Sequence, residues 1–149
     1  MSLETRIMED IKDAMKSKDK VALESLRAVK SAILLEKTSA AGATLDAAAE
    51  MKLLQKLVKQ RKESAAIYAG QGRQDLAEAE LAQSAVIERY LPEQMSAEAL
   101  QTEIAKIIAQ VGASSPADMG KVMGVATKAL AGQAEGKAIS DTVKALLAR

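Results

Sequence analysis

The chain predicts an all-α fold, and three observations carry that expectation. Of its 149 residues 48% are hydrophobic but only 1% aromatic, so the core must be Leu, Ile, Val, Met and Ala, a set that favours helices and starves a sheet. Apolar residues recur with the helical period in one run after another. Between the runs stand residues that start or stop helices, among them Pro92, Ser96, Gly112 and the pair Ser115–Pro116. A chain of this length suits one domain or two small ones, with ample apolar material for a core.

Taken in order, Leu3, Ile7, Ile11, Ala14 and Met15 predict a first helix. The polar stretch 17–20 interrupts it, and Ala22, Leu26, Val29 and Ile33 predict a second helix ending near Lys37. Residues 38–44, small and polar with Gly42, read as a loop whose Thr44 caps a third helix carrying Met51, Leu54, Val58, Ala65 and Tyr68. Gly70-Gln71-Gly72 should break that helix. A fourth runs from about Gln74 through Leu81, Ala85 and Val86 to Tyr90, where Pro92 forces Leu91 out of helical geometry. The third and fourth are expected to pair antiparallel. Beyond Pro92, Ser96 caps a fifth helix with Leu100, Ile104, Ile107, Ile108 and Val111, closed by Gly112. The expected organisation is an N-terminal helical subdomain over residues 1–92, containing the long antiparallel helix pair, and a small C-terminal three-helix bundle over residues 96–149.

The most informative stretch is Ser115-Pro116-Ala117-Asp118-Met119-Gly120-Lys121-Val122-Met123-Gly124, with Lys128, Gly132 and Ala134 behind it. Ser115 as N-cap, proline at N1 and Asp118 against the positive helix end predict a helix start at about Pro116. Gly120 and Gly124 share one face, and each costs about 1 kcal/mol relative to alanine. Something should therefore approach that backbone closely. Tight helix packing inside the bundle is the expected physical role, and the alternative is a surface that an RNA backbone approaches. Gly132 fits a left-handed C′ stop. A last helix carries Ile139, Val143, Leu146 and Leu147.

This block resembles the signature of the YqeY-like family and of the tail domain of the B subunit of tRNA-dependent amidotransferases, GatB. Further segments resemble the YqeY-like family in the same order: 26–33 (L-R-A-V-K-S-A-I), 58–64 (V-K-Q-R-K-E-S), 72–76 (G-R-Q-D-L) and 90–96 (Y-L-P-E-Q-M-S). The resemblance covers the whole chain, and only the glycine-containing part is shared with GatB. It implies a helical N-terminal part followed by a tail-like three-helix module. Because the GatB tail helps hold tRNA, it also implies that Lys121, Lys128 and the turn Gly132-Gln133-Ala134 are the positions to suspect. Where the family commonly has a basic residue between that glycine and alanine, this chain has Gln133, which removes a charge.

Composition also excludes chemistry. The chain has no cysteine and no histidine, so disulfides, zinc sites of the usual type, thiol nucleophiles and imidazole catalysis are closed to it. No phosphate-binding loop, nucleophile elbow or acid cluster of metal-site type appears, and no catalytic residue, cofactor or metal is expected. No apolar run approaches a membrane span and residues 1–9 do not form a signal sequence, which predicts a cytoplasmic protein without membrane association. Net charge is +1; 15 basic and 14 acidic residues precede Pro92, and six of each follow it. Any nucleic-acid contact must then be local, and DNA is not expected as a partner.

Several basic residues are candidates for such a contact. Lys52, Lys56 and Lys59 form a stripe on the third helix, suited to a phosphate backbone or to a plain solvated face paired with Glu63. Arg61 falls in the apolar stripe between Leu54 and Leu57 and needs a partner, with Glu80 or Glu88 within reach of a structural ion pair. Arg27 and Lys30, at the margin of the second helix's apolar face, are expected to converge with Arg61, Ser64 and Arg73 on an anion-binding groove, or else to make ordinary helix-pair salt bridges. The functional expectation is an accessory module that binds tRNA, another RNA or an aminoacyl-tRNA-related enzyme. Resemblance links it to glutamine-dependent amidotransfer, the carbon–nitrogen ligase class with glutamine as amido donor, with the module supplying binding and not chemistry. The alternative is a protein-interaction module without RNA, favoured by the near-zero charge and the lack of stacking aromatics.

Overall fold

The computed structural model describes residues 2–39 and 45–148. Among them are seven α-helices, one 3₁₀ turn and no strand: α1 (Leu3–Ser17), α2 (Lys20–Ser39), α3 (Ala47–Gly70), α4 (Gln74–Glu88), α5 (Ala97–Val111), the 3₁₀ turn Pro116–Asp118, α6 (Met119–Ala129) and α7 (Gly136–Leu147). The all-α expectation holds. The chain divides into two compact units, Met1–Leu91 and Pro92–Arg149.

In the first unit each helix end has a local cause. Ser2 caps α1 by accepting from the Thr5 N–H (3.2 Å), and Lys18 ends it in the left-handed region at φ 59°. Asp19 then accepts from the Ala22 N–H (3.0 Å), starting α2 at once. The expected cap Thr44 lies outside the described residues, as does most of the 38–44 loop; the observed cap of α3 is Asp46, which accepts from the Ala49 N–H at 2.7 Å. Gly72 takes φ +74° after α3, so the break at 70–72 occurs where its glycines predict. The last residues of α4 tighten into i→i−3 bonds, Tyr90 N–H to Ile87 and Leu91 N–H to Glu88. The regular helix therefore stops two residues earlier than Pro92 alone suggests.

The core of this unit is formed by Leu3 and Ile7 of α1, Leu26, Val29 and Ile33 of α2, Leu54 and Val58 of α3, and Val86 and Ile87 of α4. α3 packs most extensively on α4 and runs antiparallel to it, cross-linked by Arg61 to Gln83 and by Lys62 to Glu88. Three expected core positions are corrected. Met15 is 55% exposed, Leu81 is 47% exposed and Ala85 is exposed. On α4 the expected Val86 is buried, and Ala77, Ser84 and Ile87 complete the buried face in place of Leu81 and Ala85. Ser84 is tolerated there because its hydroxyl donates to the Leu81 carbonyl (2.9 Å), as the fully buried Ser25 does to Val21 (2.7 Å).

The second unit has its own core: Leu100, Ile104 and Ile107 of α5, Val122 and Ala126 of α6, Leu130, and Ile139, Val143 and Leu147 of α7. Ser96 caps α5 through the Ala99 N–H (3.1 Å), and Gly112 closes it at φ +69°. These ends lie where the sequence predicts them.

Candidate functional site

α6 is short, and its two sides differ in kind. Val122 and Ala126 are fully buried against the neighbouring helices. At 100° per residue Gly120, Gly124, Lys121 and Lys128 occupy the other side, and all four are exposed. A Cβ built on Gly120 or Gly124 meets no atom within 4 Å. The expectation that these glycines admit a neighbouring helix is thereby corrected: nothing in the unit approaches them. The helical cost, about 1 kcal/mol at the interior Gly124 and less at Gly120 in the first turn, has no compensation in the packing of this unit. What they leave is a strip of bare helix backbone flanked by two ammonium groups. Neither Lys121 nor Lys128 forms an ion pair among the described residues, although the charge of Lys121 acts on Asp118.

The start and end of α6 are both held by backbone contacts. The chain enters through the 3₁₀ turn Pro116–Asp118, so the regular α-helix starts three residues later than Pro116. The Asp118 carboxylate reaches back to accept from the Ser114 and Ser115 N–H groups (2.9 and 3.3 Å). Those bonds, with Lys121 nearby, hold its carboxyl below the usual carboxylate range. At the far end Leu130 is the cap and Gly132 adopts φ +78°. Gly132 is left-handed as expected, but one residue beyond the C′ position.

The turn after it is engaged internally. Gln94 donates from Nε2 to the Gly132 carbonyl (2.7 Å) and to the Pro92 carbonyl (3.0 Å), and the Met95 N–H donates to the Gln133 carbonyl (2.9 Å). The segment Pro92-Glu93-Gln94-Met95 is thus clamped onto Gly132-Gln133. Gly132 is buried. Gln133 contributes a backbone carbonyl to this clamp, a role indifferent to whether its side chain is basic.

Most of the remaining candidates have local partners. Arg61 is half-buried, and its partner is not a carboxylate: Nε donates to Gln83 Oε1 (3.1 Å) and a terminal nitrogen to the Leu57 carbonyl (3.2 Å). Gln83 in turn donates to Glu24 on α2 (3.4 Å). The expected partner Glu88 pairs with Lys62 (2.7 Å) instead, because Lys62 reaches around the edge of the pair that Arg61 lies inside. Lys59 is exposed, 4.0 Å from Glu63. Arg73 forms a two-point contact with Asp75 (3.0 and 3.2 Å), which raises its own pKa and lowers that of Asp75. Arg27 and Lys30 are exposed without an ion pair among the described residues. Arg73 is thus committed beside the α3–α4 turn.

Sequence reasoning also missed a polar cluster at the α4 terminus. The Tyr90 hydroxyl donates a short hydrogen bond to Asp10, and the Arg6 guanidinium lies 5.1 Å from the ring centre. Burial and the Asp10 carboxylate push the phenol well above its ordinary pKa. Tyr90 lay inside a singled-out segment, but nothing local pointed to a partner 80 residues away.

A family model described as Yqey-like protein matches residues 4–147. The chain belongs to the YqeY-like family. Both the clamp and the glycine face fall inside the YqeY match. Among curated proteins, altered inheritance of mitochondria protein 41, mitochondrial, of Meyerozyma guilliermondii is 42% identical over 82 residues, 55% of this chain and 42% of that protein. The protein of the same name from Pyrenophora tritici-repentis is 36% identical over 85 residues, 57% of this chain and 46% of that protein. The matched region is thus under half the length of these relatives. Both carry a mitochondrial designation, which overturns the cytoplasmic placement drawn from hydropathy. Hydropathy detects membrane spans and signal sequences, and a helical YqeY domain has the same apolar pattern in any aqueous compartment. No helix among the described residues is long and apolar enough to cross a membrane.

Proposed function

We propose that this YqeY-like protein is a tRNA- or RNA-associated accessory module that receives a ribose-phosphate backbone on the open side of α6. The observation that carries the reading is the uncovered backbone at Gly120 and Gly124, beside Lys121 and Lys128. A bare helix strip lets a phosphate or ribose come closer than side chains would permit, and adjacent ammonium groups supply the attraction. The resemblance of this part to the tRNA-holding GatB tail supports it. In this role the module supplies binding, and any carbon–nitrogen ligase chemistry with glutamine as amido donor belongs to a partner.

The test is filter binding of unfractionated tRNA between about 50 and 200 mM salt. The intact protein is expected to bind saturably with a falling salt dependence. Lys121→Ala/Lys128→Ala should weaken binding and flatten the log–log salt slope by about one per lysine. Absence of binding at the lowest salt would sink the proposal. It would leave the second reading, a protein-interaction module, which Leu34 and Leu35 favour by being 59% and 69% exposed on α2.

A further inference from the structure

A cleft of about 400 Å³ opens between α1, the start of α2 and the end of α4 in the first unit. That volume falls in the range of small-molecule sites, about 300–1,000 Å³. Ala14, Ala22, Leu26 and Val86, all buried core residues, line it and give it an apolar floor. Its charged lining has both signs: Arg6 and Arg89, against Asp10, Asp13 and Asp19. Three of these groups are already committed. Asp10 accepts from the Tyr90 hydroxyl, Arg6 lies over the Tyr90 ring, and Asp19 caps α2 through the Ala22 N–H. These contacts fix one wall of the cleft and leave Asp13 and Arg89 exposed, with no side-chain hydrogen bond or ion pair between or beyond them among the described residues.

We propose that this cleft binds a small zwitterion of the α-amino-acid class with an aliphatic side chain. The ammonium pairs with the Asp13 carboxylate, the carboxylate with the Arg89 guanidinium, and the side chain lies on the Ala14–Leu26–Val86 floor. The chemistry follows from the lining. An isolated anion would meet three carboxylates and an isolated cation two guanidiniums, whereas a ligand carrying both charges answers the two free groups together. This site is independent of the α6 face, so failure of the RNA reading leaves it untouched.

The experiment is amide chemical-shift titration of the full-length protein with L-leucine, up to about 10 mM. In parallel, isoamylamine lacks the carboxylate and 4-methylpentanoate lacks the ammonium. The expected result is saturable shifts at α1, α2 and the α4 terminus with L-leucine, and affinity reduced at least about tenfold for each analogue and for Asp13→Asn or Arg89→Gln. Both substitutions are at exposed positions, and an unchanged spectrum of the unliganded variants shows that the fold is intact. No shifts at the highest concentration, equal binding of either analogue, or undiminished binding by both variants would overturn the proposal.

Discussion

Gly120 and Gly124 show how a residue with no side chain can be informative. Gly124 lies inside α6, where a glycine costs about 1 kcal/mol relative to alanine, while Gly120 lies in its first turn, where the cost is smaller; an added methyl on either meets nothing within 4 Å outside the helix's own turn. Gly124→Ala is therefore expected to stabilise the second unit by about 1 kcal/mol and Gly120→Ala by less, both read as a higher urea midpoint. Under the proposed function the same variants should weaken tRNA binding. Stability rising while binding falls is the signature of a residue kept for an external contact. Tyr90 behaves differently because its hydroxyl is committed inside the fold. Its pKa is raised above the ordinary value of 10.0, so the stabilisation is complete below about pH 10 and is lost as pH rises beyond it. Tyr90→Phe should cost about 1 kcal/mol at neutral pH and flatten the alkaline limb of the stability profile. A pH–stability curve measured above pH 9 would show it.

At the scale of elements, ends were more legible than faces. Ser96, Gly112 and Gly72 act where their local chemistry predicts, because caps and left-handed turns depend on a few adjacent residues. The buried face of α4 was legible only at Val86: Ala, Ser and Leu are spread around the helix, and the choice of Ser84 over Leu81 for the interior follows from how α2 and α3 pack on it. Arg61 was legible as a group needing a partner, but the partner was a neutral amide on α4. The α6 entry yields a prediction of its own. Asp118 has a lowered pKa, so its contribution is present above the unfolded value near 3.8 and is lost as pH falls through the still lower folded value. Asp118→Asn should reduce stability at neutral pH and remove that part of the acid dependence, seen in thermal melts between about pH 2 and 6. Gln94→Ala removes the side-chain half of the clamp on Gly132 and should cost about 1–2 kcal/mol.

For the whole molecule the two cores share no residue. A fragment comprising Pro92–Arg149 retains all nine buried residues of its core, all its helix caps and the Gln94 clamp. It is expected to give a cooperative thermal transition with the helical signature of α5, α6 and α7, at modest stability for so short a chain. Circular dichroism of the fragment checks this, and a non-cooperative melt would contradict it. The candidate site was only half legible at this scale. Lys121, Lys128 and the glycines were singled out by motif, and they do share a face. Of the group expected around an anion groove, Arg27, Lys30, Arg61, Ser64 and Arg73, the structure gives Arg61 a partner in Gln83 and Arg73 one in Asp75, neither of which the sequence signals. The cleft between α1, α2 and α4 had no signal in the sequence, since Asp13 and Arg89 lie 76 positions apart.

Helical class, the order of helices, most of their ends and membership of the YqeY-like pattern were decided by short-range chemistry: periodicity, caps, glycine breaks and motif spacing act over fewer than about ten residues. Tertiary structure alone decided which side of α4 is buried, that Gln83 satisfies Arg61, that Gln94 holds the turn after α6, and that Gly120 and Gly124 face outward. Each of these depends on what lies across a helix interface tens of residues away in the chain. A helix wheel ranks faces by polarity, but only packing shows which face has a neighbour.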